Sequence, residues 1–260
     1  MNEKLFQELL EKIKLIQSEL QEDLSGLPLN KYGLKVGDFG CGAGYTTWSF
    51  LLSLSKSECI GVDKFLPFDI PPEWETLLSK WDIESDFQRW NIESVQSHNK
   101  DIVDYIKSGT FEVQGDALLQ GLCSAVVKDE RQPAIQRGDI VSGEGLFPDF
   151  RNYFDFVYCK RLLFPIFNGE YENQKNDITL RLAIANIANT LKNGGWFCFV
   201  EVAYLKESSS LEEILKGAGF QFKSPRNVVR PYKTLEKIYP QYDYHIYHCK
   251  KMDVEDVNAS

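Results

Sequence analysis

The run of residues from Val36 to Tyr45 constrains the fold of this chain more than any other stretch. An apolar segment ends at Asp38, glycines then alternate at Gly40, Gly42 and Gly44, and an apolar helical pattern follows. Glycine lets a backbone turn tightly and approach a ligand closely. The first turn of a helix offers N–H groups to a polar or anionic group. This order predicts a strand, a nucleotide-binding loop and a helix.

The spacing of this loop distinguishes between kinds of ligand. The dinucleotide fingerprint G-x-G-x-x-G has two residues between its second and third glycines, whereas this chain has a single residue there. The acid that precedes the first glycine also suits a cationic ammonium group better than a pyrophosphate. The loop therefore disfavours an NAD-dependent oxidoreductase.

The loop resembles the first motif of the class I S-adenosylmethionine (SAM) dependent methyltransferases, and here it reads Asp38-Phe39-Gly40-Cys41-Gly42-Ala43-Gly44. Other stretches resemble later motifs of that family, in the same order along the chain. They are an acid that ends the second strand (Asp63), a Gly-Asp pair (Gly115-Asp116), an aromatic-Asp strand (152–163) and a Leu-Lys-x-Gly-Gly turn (191–195). The resemblance covers residues from about 33 to 250.

Apolar periodicity predicts alternating strands and helices, and hence an α/β fold with a largely parallel sheet. The predicted strands lie at 34–39, 58–63, 111–117, 152–163, 196–202, 220–229 and 242–250. The predicted helices lie at 3–24, 46–54, 118–127, 177–191 and 211–217, with a short one around 102–106. The resemblance implies that these elements form a doubly wound, mostly parallel, seven-stranded Rossmann-like sheet.

Length and composition predict one large domain with insertions, because 43% of the 260 residues are hydrophobic. The predicted parts are an N-terminal helix and linker (1–32), a SAM-binding domain (33–252) and a flexible tail (253–260). Two insertions are predicted, at about 64–110 and 117–151, because these stretches exceed ordinary connections. The N-terminal helix is expected to pack on the domain, to cover the cofactor as a lid, or to do both.

Charge and cysteine content narrow the class of partners. A formal net charge of −9 and a pI near 5.0 argue against a broad nucleic-acid or anionic-membrane surface. The six cysteines form no Cys-x-x-Cys pair, which is typical of reduced, buried thiols in a cytoplasmic protein. The amino terminus does not resemble a signal peptide, and no apolar run has the length of a membrane span. We expect a cytoplasmic protein that binds neither nucleic acid nor a membrane. The sequence does not determine its oligomeric state.

The resemblance implies that SAM is the cofactor and that the glycine loop holds its methionine end. Asp38 and Gly40 would meet that end of SAM, while Gly42 and Gly44 would allow close backbone approach. Cys41 would line the same surface. A nucleophilic role for this cysteine is disfavoured, because no histidine stands near it in the sequence.

The resemblance also implies residues for the nucleoside half of SAM. Asp63 would accept hydrogen bonds from both ribose hydroxyls, with Lys64 beside it, since an acid about 20 residues after the loop has this role in nucleotide-binding α/β folds. Asp116 would accept from the adenine amino group, with Ala117 beside it. Cys159, at the end of the fourth strand, would lie near the sulfonium. Each acid also fits a plain turn, because Asp is frequent in turns.

Three polar residues at or just beyond the ends of the fourth and fifth strands are candidates for contact with the substrate or for a base. Arg161 could grip a substrate carboxylate with two hydrogen bonds, or pair with one of the many acids. Glu201 could act as a base or make a plain strand-end contact. Tyr204 fits packing better than catalysis.

A metal site is not predicted from the histidines near the carboxyl terminus. His245 and Cys249 share one face of a predicted strand, while His248 points to the other. Three ligands on two faces do not converge on one ion.

The predicted function is methyl transfer from SAM to the oxygen or nitrogen of a small molecule, by in-line displacement with catalysis through proximity and orientation. A base is needed only if the acceptor must lose a proton. The alternatives are a SAM-binding regulatory or partner module without catalysis, and a peptide or protein methyltransferase. A nucleic-acid methyltransferase is disfavoured by the net charge, and because residues 160–163 lack an Asn/Asp-Pro-Pro-aromatic motif.

Overall fold

A computed structural model gives the structure of the chain in two compact units, residues 1–137 and 138–260. The residues that it describes are 3–29, 32–42, 44–54, 56–64, 92–108, 120–121, 123–128, 131–168, 177–202, 210–233 and 238–252.

The first unit contains three parallel strands, β1 (Lys35–Phe39), β2 (Glu58–Asp63) and β3 (Ala134–Arg137). Strand β2 pairs with β1 on one side and with β3 on the other. Strands β1 and β2 are buried at nearly every position, because parallel strands covered on both faces are apolar throughout. Their carboxyl ends therefore share one edge, and Asp63 stands at that edge.

Helices of the first unit are α1 (Glu3–Asp23), α2 (Tyr45–Ser53) and α3 (Ile92–Ser108), with one π-helical turn at Ser124–Lys128. Helix α1 packs on α2 through an apolar stripe whose buried members include Leu10, Ile13 and Leu20. Ile13 and Leu20 belong to the stripe that the spacing predicts, whereas Leu10 does not.

Helices α1 and α2 run in the same direction. The Ser49 hydroxyl donates to the Ile13 carbonyl (3.5 Å), and the Gln17 amide donates to the Ser53 hydroxyl (3.4 Å). Both pairs have the same offset in sequence, so the two helices lie side by side from these residues toward their amino ends. Helix α1 is the longer, and its first turns extend past the start of α2 by roughly 9 Å at 1.5 Å per residue. That extension lies on the side of the glycine loop, where a lid is predicted.

The second unit contains five strands and three helices among its described residues. In chain order they are β4 (Phe154–Lys160), α4 (Leu163–Asn168), α5 (Asp177–Thr190), β5 (Leu191–Val202), α6 (Ser210–Gly217), β6 (Phe220–Phe222), β7 (Arg226–Lys233) and β8 (Ile238–Lys251). Strands β4 and β5 are parallel, and β8 runs antiparallel to β5. Strands β6 and β7 both pair antiparallel with β8.

Strands β6 and β7 occupy a single position in the sheet. Both lie on the edge of β8 that faces away from β5, and the break between them spans residues 223–225. Pro225 in this break has no N–H to donate to a ladder. The prediction of one strand over 220–229 was therefore right about the position and missed the break. Among the described residues, the first unit has three sheet positions and the second unit has four.

The predicted α/β class with a mostly parallel sheet is confirmed. The second strand has the predicted bounds, and α2, α5 and α6 lie within a residue of theirs. Strand β3 was missed, because residues 134–137 were assigned to a polar loop. The strand predicted at 111–117 lies outside the described residues.

The predicted turn at residues 191–195 is a bulge inside β5. Leu191 pairs with Phe154, and Trp196 pairs with Phe156, so residues 192–195 lie opposite Asp155 alone. Gly194 takes a φ of 72° in this bulge, a conformation that glycine adopts at little cost. The Lys192 ammonium forms an ion pair with the Asp155 carboxylate (2.5 Å).

Gly61 is packed so closely that a side chain would disturb the loop next to it. A Cβ at this position would lie 2.5 Å from Ile135 Cδ1 and 2.8 Å from both Cys41 Sγ and Thr47 Oγ1. We expect Gly61→Ala to lower the free energy of unfolding by about 1–3 kcal/mol, since overpacking costs this much. Urea titration of the variant measures the effect.

The matched control is Gly217→Ala at the end of α6, where a Cβ would meet nothing within 4 Å. We expect its free energy of unfolding to stay within about 0.5 kcal/mol of the parent value. Equal midpoints for both variants and the parent would contradict the packing argument.

Candidate functional site

The glycine loop is fastened to β2 by backbone hydrogen bonds. The Gly40 N–H donates to the Val62 carbonyl (2.7 Å), so the ladder between β1 and β2 continues into the loop. The Gly44 N–H then donates to the Cys41 carbonyl (2.9 Å), which closes the turn before α2. All three loop glycines have positive φ, at 77°, 51° and 80° for residues 40, 42 and 44. A side chain at these positions would be strained, so the predicted need for glycine is confirmed.

Asp38 lies buried at the end of β1, with 3% of its surface exposed. Its carboxylate accepts a hydrogen bond from the Thr47 hydroxyl (2.7 Å), and the Thr47 backbone N–H is a further donor. Asp38 thus serves the first turn of α2, whose N-cap residue Gly44 has no side chain to do so. The Asp38 carboxyl therefore lies on the buried side of the loop.

Burial raises the pKa of the Asp38 carboxyl from 3.8 to about 7. Desolvation is the largest cause, and the nearby Asp63 carboxylate raises the pKa further. The hydrogen bonds from Thr47 act in the opposite sense. A cation bound close to Asp38 would favour its charged form.

Asp63 is tied to the same loop from the side of β2. Its Oδ2 atom accepts a hydrogen bond from the Gly42 N–H (2.8 Å). The residue is half-buried at the carboxyl end of β2, and Lys64 next to it is half-buried as well. Two of the three acids predicted to bind SAM, Asp38 and Asp63, therefore contact the loop or the helix that follows it.

The loop fits a ligand that carries a cationic group. A Cβ at Gly42 would meet no heavy atom within 4 Å among the described residues, so space is open above the loop. The Asp63 carboxylate lies beside Gly42, and the buried Asp38 carboxyl is close enough to Asp63 for their charges to interact. The two acids would repel a pyrophosphate. An amino-acid ammonium and ribose hydroxyls instead donate hydrogen bonds that carboxylates accept.

Cys41 and Cys159 are buried, with 8% and 0% of their surfaces exposed. Burial, with Asp38 and Asp63 as further causes, raises the pKa of the Cys41 thiol well above its ordinary value. A neutral thiol is a poor nucleophile, which agrees with the packing role that the sequence favoured. Cys159 as a whole residue has no exposed surface, so its predicted place near the sulfonium stays a prediction.

Arg161 stands directly after β4 in the second unit, where its side chain is exposed. The guanidinium donates a hydrogen bond from Nη2 to the Tyr244 hydroxyl and lies over the Tyr244 ring, 5.2 Å from the ring centroid. Its backbone has a φ of 57°, and its N–H donates to the Val200 carbonyl (2.9 Å). Sequence reasoning missed Tyr244, which no motif marks.

Glu201 is fully buried and fastens the chain after Arg161. Its Oε1 atom accepts a hydrogen bond from the Leu163 N–H (2.7 Å), at the start of α4. The structure thus supports the strand-end contact that was one of its two predicted roles. A base must reach the substrate, and this carboxylate has no exposed surface.

Three of the predicted site residues lie outside the part of the chain that the structure describes. They are Asp116, Ala117 and Tyr204, and their predicted roles stay predictions.

Within the described ranges no group of three His, Cys, Asp or Glu side chains is placed to hold a metal ion. None of the helices in these ranges is both long and apolar enough to cross a membrane.

Strand β3 is followed by a second Gly-Asp pair that sequence reasoning passed over. Gly138-Asp139 directly follows β3. Asp139 accepts hydrogen bonds from the Val141 N–H (2.8 Å) and the Ser142 hydroxyl (3.0 Å), which form a tight turn. The Gly-Asp pair is visible in the sequence. The strand before it is hard to recognise, because it has only four residues, follows Pro133 and ends at Arg137.

Comparison with known proteins rests on structure. No protein-family profile matches the chain, and no curated protein is similar to it in sequence. A putative methyltransferase from Bacillus halodurans is similar in fold, with a TM-score of 0.51 and 12% identity over 91% of this chain and 100% of that one. The chain has the Rossmann-like fold of the class I SAM-dependent methyltransferases.

Two archaeal structures have the same methyltransferase fold. A SAM-dependent methyltransferase from Methanosarcina mazei has a TM-score of 0.50 and 12% identity, over 86% of this chain and 94% of that one. A chain in the complex between the Haloferax volcanii Trm112 methyltransferase activator and the putative methyltransferase has a TM-score of 0.50 and 11% identity, over 95% and 96% of the chains. Since these identities are low, the similarity is one of fold.

The raised pKa of Asp38 makes a prediction about stability. The folded chain holds this proton up to about pH 7, while the unfolded chain loses it near 3.8. Stability from this group is therefore complete below about pH 4 and falls as the pH rises to 7. Asp38→Asn removes that loss, so we expect the variant to be more stable than the parent at pH 8, on the order of 2–4 kcal/mol.

Urea titrations of both proteins at pH 5, 6, 7 and 8 measure the difference in the free energy of unfolding. It should grow with pH over this range. A difference that stays constant with pH would show that the Asp38 carboxyl titrates at an ordinary pKa.

Proposed function

We propose that the protein transfers a methyl group from SAM to a small-molecule acceptor. One observation carries the proposal: the buried Asp38 and the half-buried Asp63 bracket the glycine loop of a methyltransferase fold, with open space at Gly42. This arrangement offers hydrogen-bond acceptors and negative charge to the amino acid and ribose of SAM. The acceptor atom, oxygen or nitrogen, is part of the proposal that the sequence leaves open.

The loop would hold SAM by its backbone and by the two acids. Asp38 would stabilise the ammonium from below the loop, and Asp63 would accept from ribose while keeping its bond to the Gly42 N–H. Asp116 would accept from adenine. The hydrogen-bonded backbone groups of Gly40, Gly42 and Gly44 would set the position of the methionine end before binding.

When bound, SAM supplies a methyl group on a cationic sulfur that departs as a neutral thioether. The protein then needs to align the acceptor and exclude competing water, since such alignment can provide much of the rate increase. Polar side chains at the carboxyl ends of parallel strands are placed for this in open α/β sheets. Arg161 is the exposed candidate there, whereas buried Glu201 would hold the backbone that carries it.

Calorimetric titration with SAM, with S-adenosylhomocysteine and with NAD tests the cofactor. We expect saturable binding of the first two, no heat from NAD, and about tenfold or greater weakening in Asp63→Ala, which loses the ribose acceptor and the bond to Gly42. Glu58→Ala, at the opposite end of β2 where the side chain is exposed, is the matched control and should bind as the parent does. Binding of NAD instead, or of no ligand, would refute the proposal.

Binding of SAM should depend on pH through Asp38. Because a bound ammonium favours the carboxylate, binding releases the proton that the free protein holds below a pKa of about 7. We expect SAM affinity to fall about five- to tenfold from pH 7.5 to pH 6. Titrations in two buffers of different ionisation heat detect the released proton.

Asp38→Asn is the control for this linkage, because an amide does not titrate. It should bind SAM more weakly at pH 7.5, and its affinity should lose the pH dependence that belongs to the protein. If parent and variant show the same pH profile, Asp38 does not sense the cofactor. Release of S-adenosylhomocysteine with candidate acceptors then separates an enzyme from a SAM-binding module, and small molecules from peptides.

A further inference from the structure

The hydroxyl group of Thr47 has an unusual partner for a threonine in the first turn of a helix. It donates to Asp38 Oδ2 over 2.7 Å, although a hydroxyl in a helix can donate to the carbonyl three or four residues back. Ser49, two residues further along α2, makes that ordinary bond to the Tyr45 carbonyl (2.9 Å) and also reaches the Ile13 carbonyl (3.5 Å). The Thr47 hydroxyl instead links α2 to the end of β1.

Close packing holds the Thr47 side chain in this direction. The residue is fully buried, and a Cβ built on Gly61 would lie 2.8 Å from Thr47 Oγ1. The backbone N–H of Thr47 is a second donor to Asp38. Because Thr47 is the third residue of α2, this N–H has no acceptor within the helix. One buried residue therefore gives the carboxyl group two donors from fixed positions.

Three titratable groups near Asp38 belong to the glycine loop and to β2. Burial, and then the Asp63 carboxylate, raise the pKa of Asp38, whereas both hydrogen bonds that lower it come from Thr47. Burial also raises the pKa of the Cys41 thiol well above its ordinary value and that of Cys59 to about 12. Both thiols are thus neutral between pH 6.5 and 8.5, and Asp63 is the group whose charge opposes that of Asp38.

We propose that Thr47 is the positioning residue that stabilises the charged form of Asp38 and sets its direction for the ammonium group of SAM. This inference rests on the proposed function and deepens it, because it names the residue that makes Asp38 usable by the cofactor at neutral pH. An ionised carboxylate only accepts hydrogen bonds, whereas a protonated one also presents a donor. An ammonium group is therefore attracted by the charged form.

Neutral donors suit this role better than a cation would. A lysine or arginine beside Asp38 would also favour the carboxylate, but its positive charge would repel the ammonium group. The hydroxyl and the N–H of Thr47 stabilise the carboxylate without adding a charge. The negative charge is thus left to act on the ligand.

Carbon-13 nuclear magnetic resonance of the aspartate carboxyl groups tests the first step on the full chain without a cofactor. The Asp38 signal is assigned by its loss in Asp38→Asn, and in the parent its titration should have a midpoint near pH 7. Thr47→Val removes the hydroxyl, so we expect the midpoint to rise to about pH 8 or above. Thr47→Ser keeps the hydroxyl and should titrate as the parent does.

Calorimetric titration with S-adenosylhomocysteine at pH 6.5, 7.5 and 8.5 tests the second step. The ligand's own titration affects parent and variant equally, so the ratio of their affinities reports on Asp38. We expect Thr47→Val to bind about eightfold more weakly than the parent at pH 6.5, about threefold at pH 7.5 and less than about twofold at pH 8.5. The difference shrinks because a high pH charges Asp38 in both proteins.

Ser49→Ala is the matched control, since it removes a buried hydroxyl from the same helix that does not bond to Asp38. We expect the parent midpoint for Asp38 and the parent affinity at every pH. Circular dichroism and urea titration check that each variant is folded. Thr47→Ala removes the same hydroxyl with a smaller side chain, and it replaces Thr47→Val in both measurements if that variant does not fold.

Four results would overturn the role of Thr47. One is an affinity ratio for Thr47→Val that is the same at every pH, because a packing role predicts a constant loss. The second is an unchanged Asp38 midpoint in that variant. The third is a pH-dependent loss of equal size in Ser49→Ala, and the fourth is a failure of Thr47→Ser to behave as the parent does.

The carboxyl titration needs no ligand, so failure of this inference and failure of the proposed function can be told apart. A parent that binds no S-adenosylhomocysteine at any pH would refute the proposed function, even if the Asp38 midpoint rises in Thr47→Val. Binding by the parent together with an unchanged midpoint in Thr47→Val would keep the proposed function and remove the role of Thr47.

Discussion

The burial of the Asp38 carboxyl beneath the glycine loop is the constraint on which the first unit depends. Removing a carboxylate from water is costly unless donors replace the water. Thr47 supplies a hydroxyl and a backbone N–H, and these remain insufficient to bring the pKa back to its ordinary range. Gly61 leaves the room that Thr47 needs in this position. The loop, β2 and the start of α2 are thus packed around one acid that costs stability at neutral pH.

Such a cost is common where a site is organised for a ligand. The Asp63 carboxylate adds to the unfavourable charge at Asp38 and also holds the loop through the Gly42 N–H. A bound cation would relieve the repulsion between the acids. The geometry therefore favours a ligand that carries positive charge and hydroxyl groups over one that carries phosphates.

In the second unit the fixed element is the pair of strands β5 and β8. Their aromatic residues stack across the pair, as Phe199 does on Tyr247 with ring planes 5° apart. The same pairing sets Glu201 and Tyr244 on opposite faces. On one face the buried Glu201 carboxylate holds the start of α4, and on the other face Tyr244 holds Arg161. A shift of one residue in register would exchange these roles.

The sequence by itself determined the features that depend on local physics. A continuous apolar run that ends in an acid placed β2, and three alternating glycines placed the loop between β1 and α2. The helix spacing in α1 fixed its buried stripe. Strand β3 could not be found in this way, because four residues beside a proline carry little periodicity, and its pairing with β2 defines it.

Tertiary structure alone decided what the polar groups do. Sequence could name Asp38, Asp63, Arg161 and Glu201, since each follows or ends a strand. It could not tell that Glu201 is buried on a backbone N–H, or that Tyr244 lies under Arg161. Those facts arise because residues far apart in the chain come into contact across paired strands. Desolvation at these contacts sets the charge of the polar groups and decides whether they can reach a ligand.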